Sequence, residues 1–359
     1  MQEKHILVTG NGFDLFHGLP ATCKDFIQTG AACLNIAPAE RNNEQKQIAA
    51  LYQTNGFFKY FAVNPPSENT WSTFEEELEK VIRVFIAFLD TMKKEQEEPY
   101  FDAVRYSISC ESFSFYELTV FKQFFNIFEQ IYDDMSGGLF KLRETCITPG
   151  RQLDTKKLLH ILHQELKDFT TALSLYLTQE ANSEKISVRS PQLKALHPDY
   201  VINFNYTDTA TVYDLDPAQI FYAKGRAALG AEHMVLGIPD ESEEHLDFIA
   251  FKNYFQSIIK FIGIPDRQQL HPTDEDGQPI PVITHVFGYS LPPSDESLVK
   301  SLTEASRQMI IYYTDLTDYA AKVVNLIKIF GKHTALEKIQ TQEIYFQDLT
   351  AFQTEPVKA

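Results

Sequence analysis

Cysteine is scarce in this chain: four occur in 359 residues, Cys23, Cys33, Cys110 and Cys146, and no two form a Cys-x-x-Cys pair. That scarcity argues against a disulfide framework and against a cysteine-built zinc site, and it suits a reducing cytosol, the expected location. No metal is expected. Basic residues are also short, with 32 Lys and Arg against 49 Asp and Glu, a formal charge of −17. Such a surplus repels polyanions, so nucleic acid and anionic membranes are not expected as general partners, although a local basic pocket for a small anion stays open. Long apolar runs are missing, since none reaches the roughly eighteen residues of a membrane span. Met1-Gln2-Glu3-Lys4 passes directly into an apolar run without the basic, apolar and small-residue order of a secretory leader. Internal repeats and low-complexity tracts are absent as well. What is present is 44% hydrophobic and 13% aromatic residues, enough for a substantial globular core.

The first such run, His5-Ile6-Leu7-Val8, reads as a strand buried on both faces of a parallel sheet. It leads into Gly10-Asn11-Gly12-Phe13-Asp14. There Gly10 and Gly12 are expected to take positive φ and to let the backbone approach a ligand. Phe13 to His17 is expected to open a helix whose N–H groups and dipole favour an anion. The full Gly-x-Gly-x-x-Gly pattern is not met, because Leu15 stands at the third position.

A helical block follows. Ser72-Thr73-Phe74-Glu75 has capping-box spacing before Phe74, Leu78, Val81, Ile82, Phe85, Phe88 and Leu89 at the helical period. The same period predicts a helix from Leu118 to Tyr132 that stops near Gly137-Gly138, and another through Leu158, Leu162, Leu166, Phe169, Leu173 and Tyr176 behind an Asp154 cap. From Tyr200 the pattern turns to short apolar runs, predicting strands at 200–204, 219–222, 234–238, 282–287 and 309–313. Helices are predicted at about 294–307 and 316–330. Two acidic stretches, 240–247 and 274–276, read as solvated connections. The expected fold is an α/β domain over residues 1–359. Its parallel, Rossmann-like sheet comes from about 1–35 and 196–350, with a large helical insertion at about 40–190 after the first strand and helix.

In such a sheet ligands sit past the carboxyl ends of the strands, and these positions are polar: Asn205-Tyr206-Thr207-Asp208, Lys224-Gly225-Arg226 and Gly288-Tyr289-Ser290-Leu291. With Gly10 to Asp14 they are expected to line a single pocket. Asp14 reads either as a helix cap or as a ligand to a ribose hydroxyl, and Asp208 likewise as a cap or a binding group. Asn205 has a plainer reading as a turn residue bonding its own backbone.

These residues resemble the abortive-infection AbiH family of bacterial phage-defence proteins. The resemblance rests on Gly10-Asn11-Gly12-Phe13-Asp14, Trp71-Ser72-Thr73-Phe74-Glu75, Phe204-Asn205-Tyr206-Thr207-Asp208-Thr209, Phe251-Lys252-Asn253-Tyr254 and Gly288-Tyr289-Ser290-Leu291, in order over nearly the whole chain. More distantly the layout is similar to sirtuin-like NAD-binding domains, and Gly18-Leu19-Pro20 agrees with that. The resemblance implies that Gly10, Gly12 and the helix after them hold a pyrophosphate, with Asn11, Phe13 and Asp14 also among the nucleotide-binding residues, that Asn205 lies beside the nicotinamide ribose and that Ser290, after Gly288, contacts the adenosine side. The ligand so implied is NAD or a related dinucleotide. An amide at the reacting ribose would position it without titrating.

Two departures matter. Lys224-Gly225 stands where the family carries His-Gly, and Tyr289 stands where it carries His in Gly-His-Ser-Leu. An imidazole titrates near neutrality whereas a lysine is normally charged, so Lys224 and Arg226 read as phosphate-binding cations or, for Lys224, as a substitute catalytic group. His17 is a further candidate ligand contact. Two functions are therefore expected: an NAD glycohydrolase-type enzyme acting through Asn205 and Lys224, or a catalytically inactive nucleotide sensor or protein-interaction module. Self-association is compatible with either.

Overall fold

The computed structural model describes residues 3–65, 71–109, 114–124, 126–132, 139–186, 188–238 and 246–356. The chain divides into two compact units, one of residues 1–22, 176–235 and 257–359 and the other of residues 23–175 and 236–256.

The first unit is built on a six-stranded parallel sheet. Its strands in chain order are β1 (Lys4–Thr9), β2 (Tyr200–Asn203), β3 (Ile220–Tyr222), β4 (Val282–Phe287), β5 (Gln308–Tyr313) and β6 (Ile344–Asp348). They lie side by side as β3-β2-β1-β4-β5-β6. The first strand is thus central, with Val8 opposite Ile202 on one side and Val286 on the other. Every residue of β2 and β4 is buried, as a strand covered on both faces requires. Side chains alternate between two cores. Ile6, Val8, Ile202, Val282 and Val286 face one, with Leu326 and Ile329, and Leu7, Val201 and Phe287 face the other, with Phe13 and Tyr213. Helices α1 (Asn11–Phe16), α2 (Glu296–Ala305), α3 (Leu316–Phe330) and α4 (Lys332–Gln340) belong to this unit.

Two sequence expectations are corrected here. The run 234–238 is not a strand: Met234 makes only an isolated bridge to Gly225, and the Val235 N–H donates to the Lys224 carbonyl at 2.8 Å, so the chain doubles back on the turn after β3. Conversely, the sheet has a sixth strand, β6, that was not expected. It pairs with β5 in the register Ile344 to Met309 and Phe346 to Ile311.

The second unit is mainly helical and packed with phenylalanine. Phe26, Phe57, Phe58, Phe61, Phe74 and Phe169 are fully buried, and the Phe74 and Phe169 rings stack at 5.5 Å. The helix Trp71–Glu95 forms as expected, while the side chain of Ser72, expected to cap it, lies outside the described residues. Asp154 does cap the helix Thr155–Glu180, accepting from the Lys157 N–H at 3.0 Å. The helix expected from Leu118 to Tyr132 is corrected: only Phe115–Gln123 is helical, and Phe128–Tyr132 is a strand in an antiparallel sheet with Leu139–Leu142 and Ser107–Ser109. Phe121, Phe124 and Phe128 are buried in either conformation, so their spacing did not separate the two. The Leu139–Leu142 partner decides for strand. The Gly137-Gly138 stop lies outside the described residues, as does most of the acidic stretch 240–247.

Candidate functional site

The carboxyl ends of β1 to β4 bring together most of the polar residues singled out in the sequence. The glycine turn after β1 takes a different form from the one expected. Gly10 is extended, with φ −135°, and Gly12 lies in the first turn of α1; neither adopts positive φ. Their lack of a side chain serves contact within the chain. A Cβ on Gly10 would lie 2.6 Å from Tyr289 Cα, and one on Gly12 would lie 2.7 Å from Gly288 Cα. Gly288 itself is at φ +65°, where glycine is favoured. The Gly12 N–H donates to the Gly288 carbonyl at 2.8 Å and the Phe13 N–H to the Gly10 carbonyl at 2.8 Å. The turn is therefore filled by the loop after β4.

Asp14 is fully buried one turn further on and caps nothing. Its two oxygens accept from Thr207 Oγ1 at 2.7 Å and Thr209 Oγ1 at 2.6 Å. Burial pushes its carboxyl up to about 7, against the lowering effect of the hydrogen bonds from Thr209, Thr207 and Asn205, with the nearby Asp208 charge adding a smaller upward push. Asn205 is buried and donates from Nδ2 to the Gly10 carbonyl at 2.8 Å, which ties the end of β2 to the glycine turn. Asn203 completes the network: its Oδ1 accepts from Thr9 Oγ1 and the Asn205 N–H, both at 2.9 Å, and its Nδ2 donates to the Thr207 carbonyl.

Charged groups stand above this buried layer. Asp208, expected to be a cap or a binding group, makes no side-chain cap bond and is an ion-pair partner. Arg226 grips it through Nε at 2.6 Å and Nη2 at 2.7 Å, and Tyr222 donates to it at 2.7 Å. Such a bidentate fork is the strongest geometry available to the pair. Lys224 Nζ lies 3.4 Å from Asp295 Oδ1, and the Tyr289 hydroxyl donates to Asp295 Oδ2 at 2.6 Å. The two positions at which the chain departs from the family motif thus meet at one carboxylate. Tyr289 also stacks on Phe204 with ring centroids 4.0 Å apart. Between Lys224 and Arg226, Gly225 sits at φ +85° with the His233 carbonyl against its α-carbon, a position no side chain could share.

His17 stands apart from this set. It is buried, donating from Nδ1 to the Phe13 carbonyl and accepting at Nε2 from Tyr213, whose hydroxyl in turn accepts from the Ser190 N–H. Both ring nitrogens are used within the protein, and burial lowers its tendency to protonate. His285 lies in β4, bonded to His5 at 3.1 Å and Tyr312 at 3.0 Å, with burial drawing its pKa down to about 4. The Ser290 carbonyl accepts from Asn325 Nδ2. Asn203, Thr207, Thr209 and Asp295 had no individual role assigned from sequence, although Thr207 and Thr209 lie within the polar motif after β2. The first three carried a signal in their alternation with Asn205 along one polar stretch; Asp295 carried none.

Among the described residues no cluster of three or more His, Cys, Asp or Glu side chains is arranged to hold a metal, and no helix is long and apolar enough to cross a membrane. The model of the family described as Bacteriophage abortive infection AbiH matches residues 6–315, which include the whole of the site. No curated protein and no solved structure matches the chain.

Proposed function

The chain belongs to the AbiH family of bacteriophage abortive-infection proteins, and from that premise we propose that it acts in phage defence by binding a nucleotide of the NAD or ADP-ribose kind at the carboxyl ends of β1, β2 and β4. One observation carries the reading. The strand order β3-β2-β1-β4-β5-β6 reverses direction between β1 and β4, and the polar groups gather at the carboxyl ends on either side of that point. In open parallel sheets this crevice is where ligands bind, and this order is that of the Rossmann-like dinucleotide folds. The glycine turn itself is packed against Gly288 and Tyr289 and Asp14 is enclosed by Thr207 and Thr209, so ligand contacts fall to other side chains: Lys224 and Arg226 for phosphate, Asn205 and Asp208 for a sugar. A sirtuin-like cleavage of NAD would require a group able to take a ribose proton. Lys224 and Tyr289, at the positions of the family histidines, are both joined to Asp295, and this favours binding over turnover.

Binding to the folded state raises stability by mass action. NAD or ADP-ribose at about 100 times its dissociation constant should stabilise the protein by about 2.7 kcal/mol. Calorimetric titration together with thermal melts, with nicotinamide release followed by chromatography, tests the reading. Tight binding without release supports it, whereas release abolished by Asn205→Ala would make the protein an NAD-cleaving enzyme. No binding of NAD, NADP, ADP-ribose or ATP would end the nucleotide reading.

A further inference from the structure

The loops that follow the strands are joined to each other above the sheet, and the pattern of those joints is informative. The loop after β3 meets the loop after β2 through Arg226 and Asp208, and meets the loop after β4 through Lys224 and Asp295. Strands β3 and β4 stand three places apart in the sheet, a separation of about 14 Å at the usual strand spacing. The Lys224–Asp295 pair therefore bridges the ends of β2 and β1. Beneath it, Phe204 after β2 stacks on Tyr289 after β4 and closes the same span over Gly10. Both side chains of the ion pair are only 13% exposed. Asp295 occupies the N-cap position of α2, the place where an aspartate normally accepts the helix N–H groups, yet makes no such bond. Its carboxylate is turned instead to Lys224 and Tyr289.

We infer that Asp295 selects ligands by charge: it is an internal substitute for a ligand phosphate on Lys224, and only an anion strong enough to displace it opens the site. This rests on the nucleotide reading above and adds a residue and a rule to it. A carboxylate and a pyrophosphate compete for the same ammonium donors, and the pyrophosphate, with more acceptor oxygens and two charges shared over its two phosphates, wins. A nucleoside without phosphate cannot compete. Displacement lets Tyr289 keep its stack on Phe204, while the freed Asp295 carboxylate stays near the N-terminus of α2, where a negative charge is favourable.

The test compares full-length protein with its Asp295→Asn and Lys224→Ala variants, using ADP-ribose and adenosine as probes. Asp295→Asn keeps the acceptor for Tyr289 but removes the competing charge. It should bind ADP-ribose about tenfold more tightly, the factor expected when one charge-assisted contact no longer has to be broken. Adenosine binding should not change. Lys224→Ala should lose ADP-ribose binding with or without the second substitution. Equal or weaker binding of ADP-ribose by Asp295→Asn overturns the inference. Hydrogen exchange without ligand gives a second readout: amides of residues 223–226 and 288–295 should exchange faster in Asp295→Asn, and unchanged exchange also overturns it. If exchange quickens while neither protein binds ADP-ribose, the Lys224–Asp295 pair only ties the two loops together, and both the inference and the nucleotide reading fail.

Discussion

A carboxyl group fully out of water, held by two threonine hydroxyls, is costly to ionise, and Asp14 is such a group. Its pKa rises from 3.8 to about 7 on folding. The folded protein then binds more protons than the unfolded chain between those values, so stability falls as pH rises across that window. The contribution is fully present below pH 3.8 and is lost as pH passes 7, an effect of order 4 kcal/mol. Asp14→Asn, which fits the same hydroxyls without a charge, should flatten the slope of urea-unfolding free energy between pH 4 and 7. It should be more stable than the parent at pH 8; an unchanged slope would mean that Asp14 ionises freely in the folded state. This environment was not legible in the sequence. Thr207 and Thr209 lie almost two hundred residues from Asp14 along the chain, so local reading offered only a cap or a ligand contact. The same distance hid the role of Gly10 and Gly12, whose missing side chains answer to Gly288 and Tyr289.

Elements were legible where burial leaves little choice. Strands β2 and β4, covered on both faces, are mainly apolar and stand where expected, whereas β6, at the edge of the sheet, mixes buried and exposed residues and gives no clear strand signal. Helix α3 is a case in which the local signal and the structure agree. Asp315, two residues past the end of β5, accepts from the N–H groups of Thr317 and Asp318 at 2.8 and 2.9 Å and starts the helix. One turn in, buried Lys322 donates to Asp318 at 2.7 Å and to the Tyr312 carbonyl at 2.8 Å, tying α3 to the end of β5. Asp315→Ala removes the cap and should cost about 1 kcal/mol. Asp315→Asn should cost much less, because asparagine caps nearly as well. Denaturant midpoints for the pair check this, and equal losses would show that charge, not the cap bond, is what Asp315 contributes.

At the scale of the whole chain, the family motifs could be recognised because each is short and local, and they fall in order along residues 6–315. The fold does not stop there. Strand β6 pairs with β5 along five residues, and Leu326 and Ile329 of α3, Ala335 of α4 and Ile344 of β6 are buried in the same core as Val8, Ile202 and Val286. Each fully buried large apolar side chain contributes about 1.5–3 kcal/mol, and a native domain is stable by only about 5–15 kcal/mol in total. Removing everything after residue 315 would strip β5 of its neighbour and uncover Met309 and Ile311, leaving an exposed apolar edge that invites pairing between chains. A chain ending at residue 315 should therefore fail to fold as a monomer even though it retains every family motif and every residue of the candidate site. Size-exclusion chromatography and circular dichroism decide the matter: aggregation or loss of a cooperative melt is expected, and a monomer melting near the full chain would mean that the last two helices and β6 are not part of the core that supports the site.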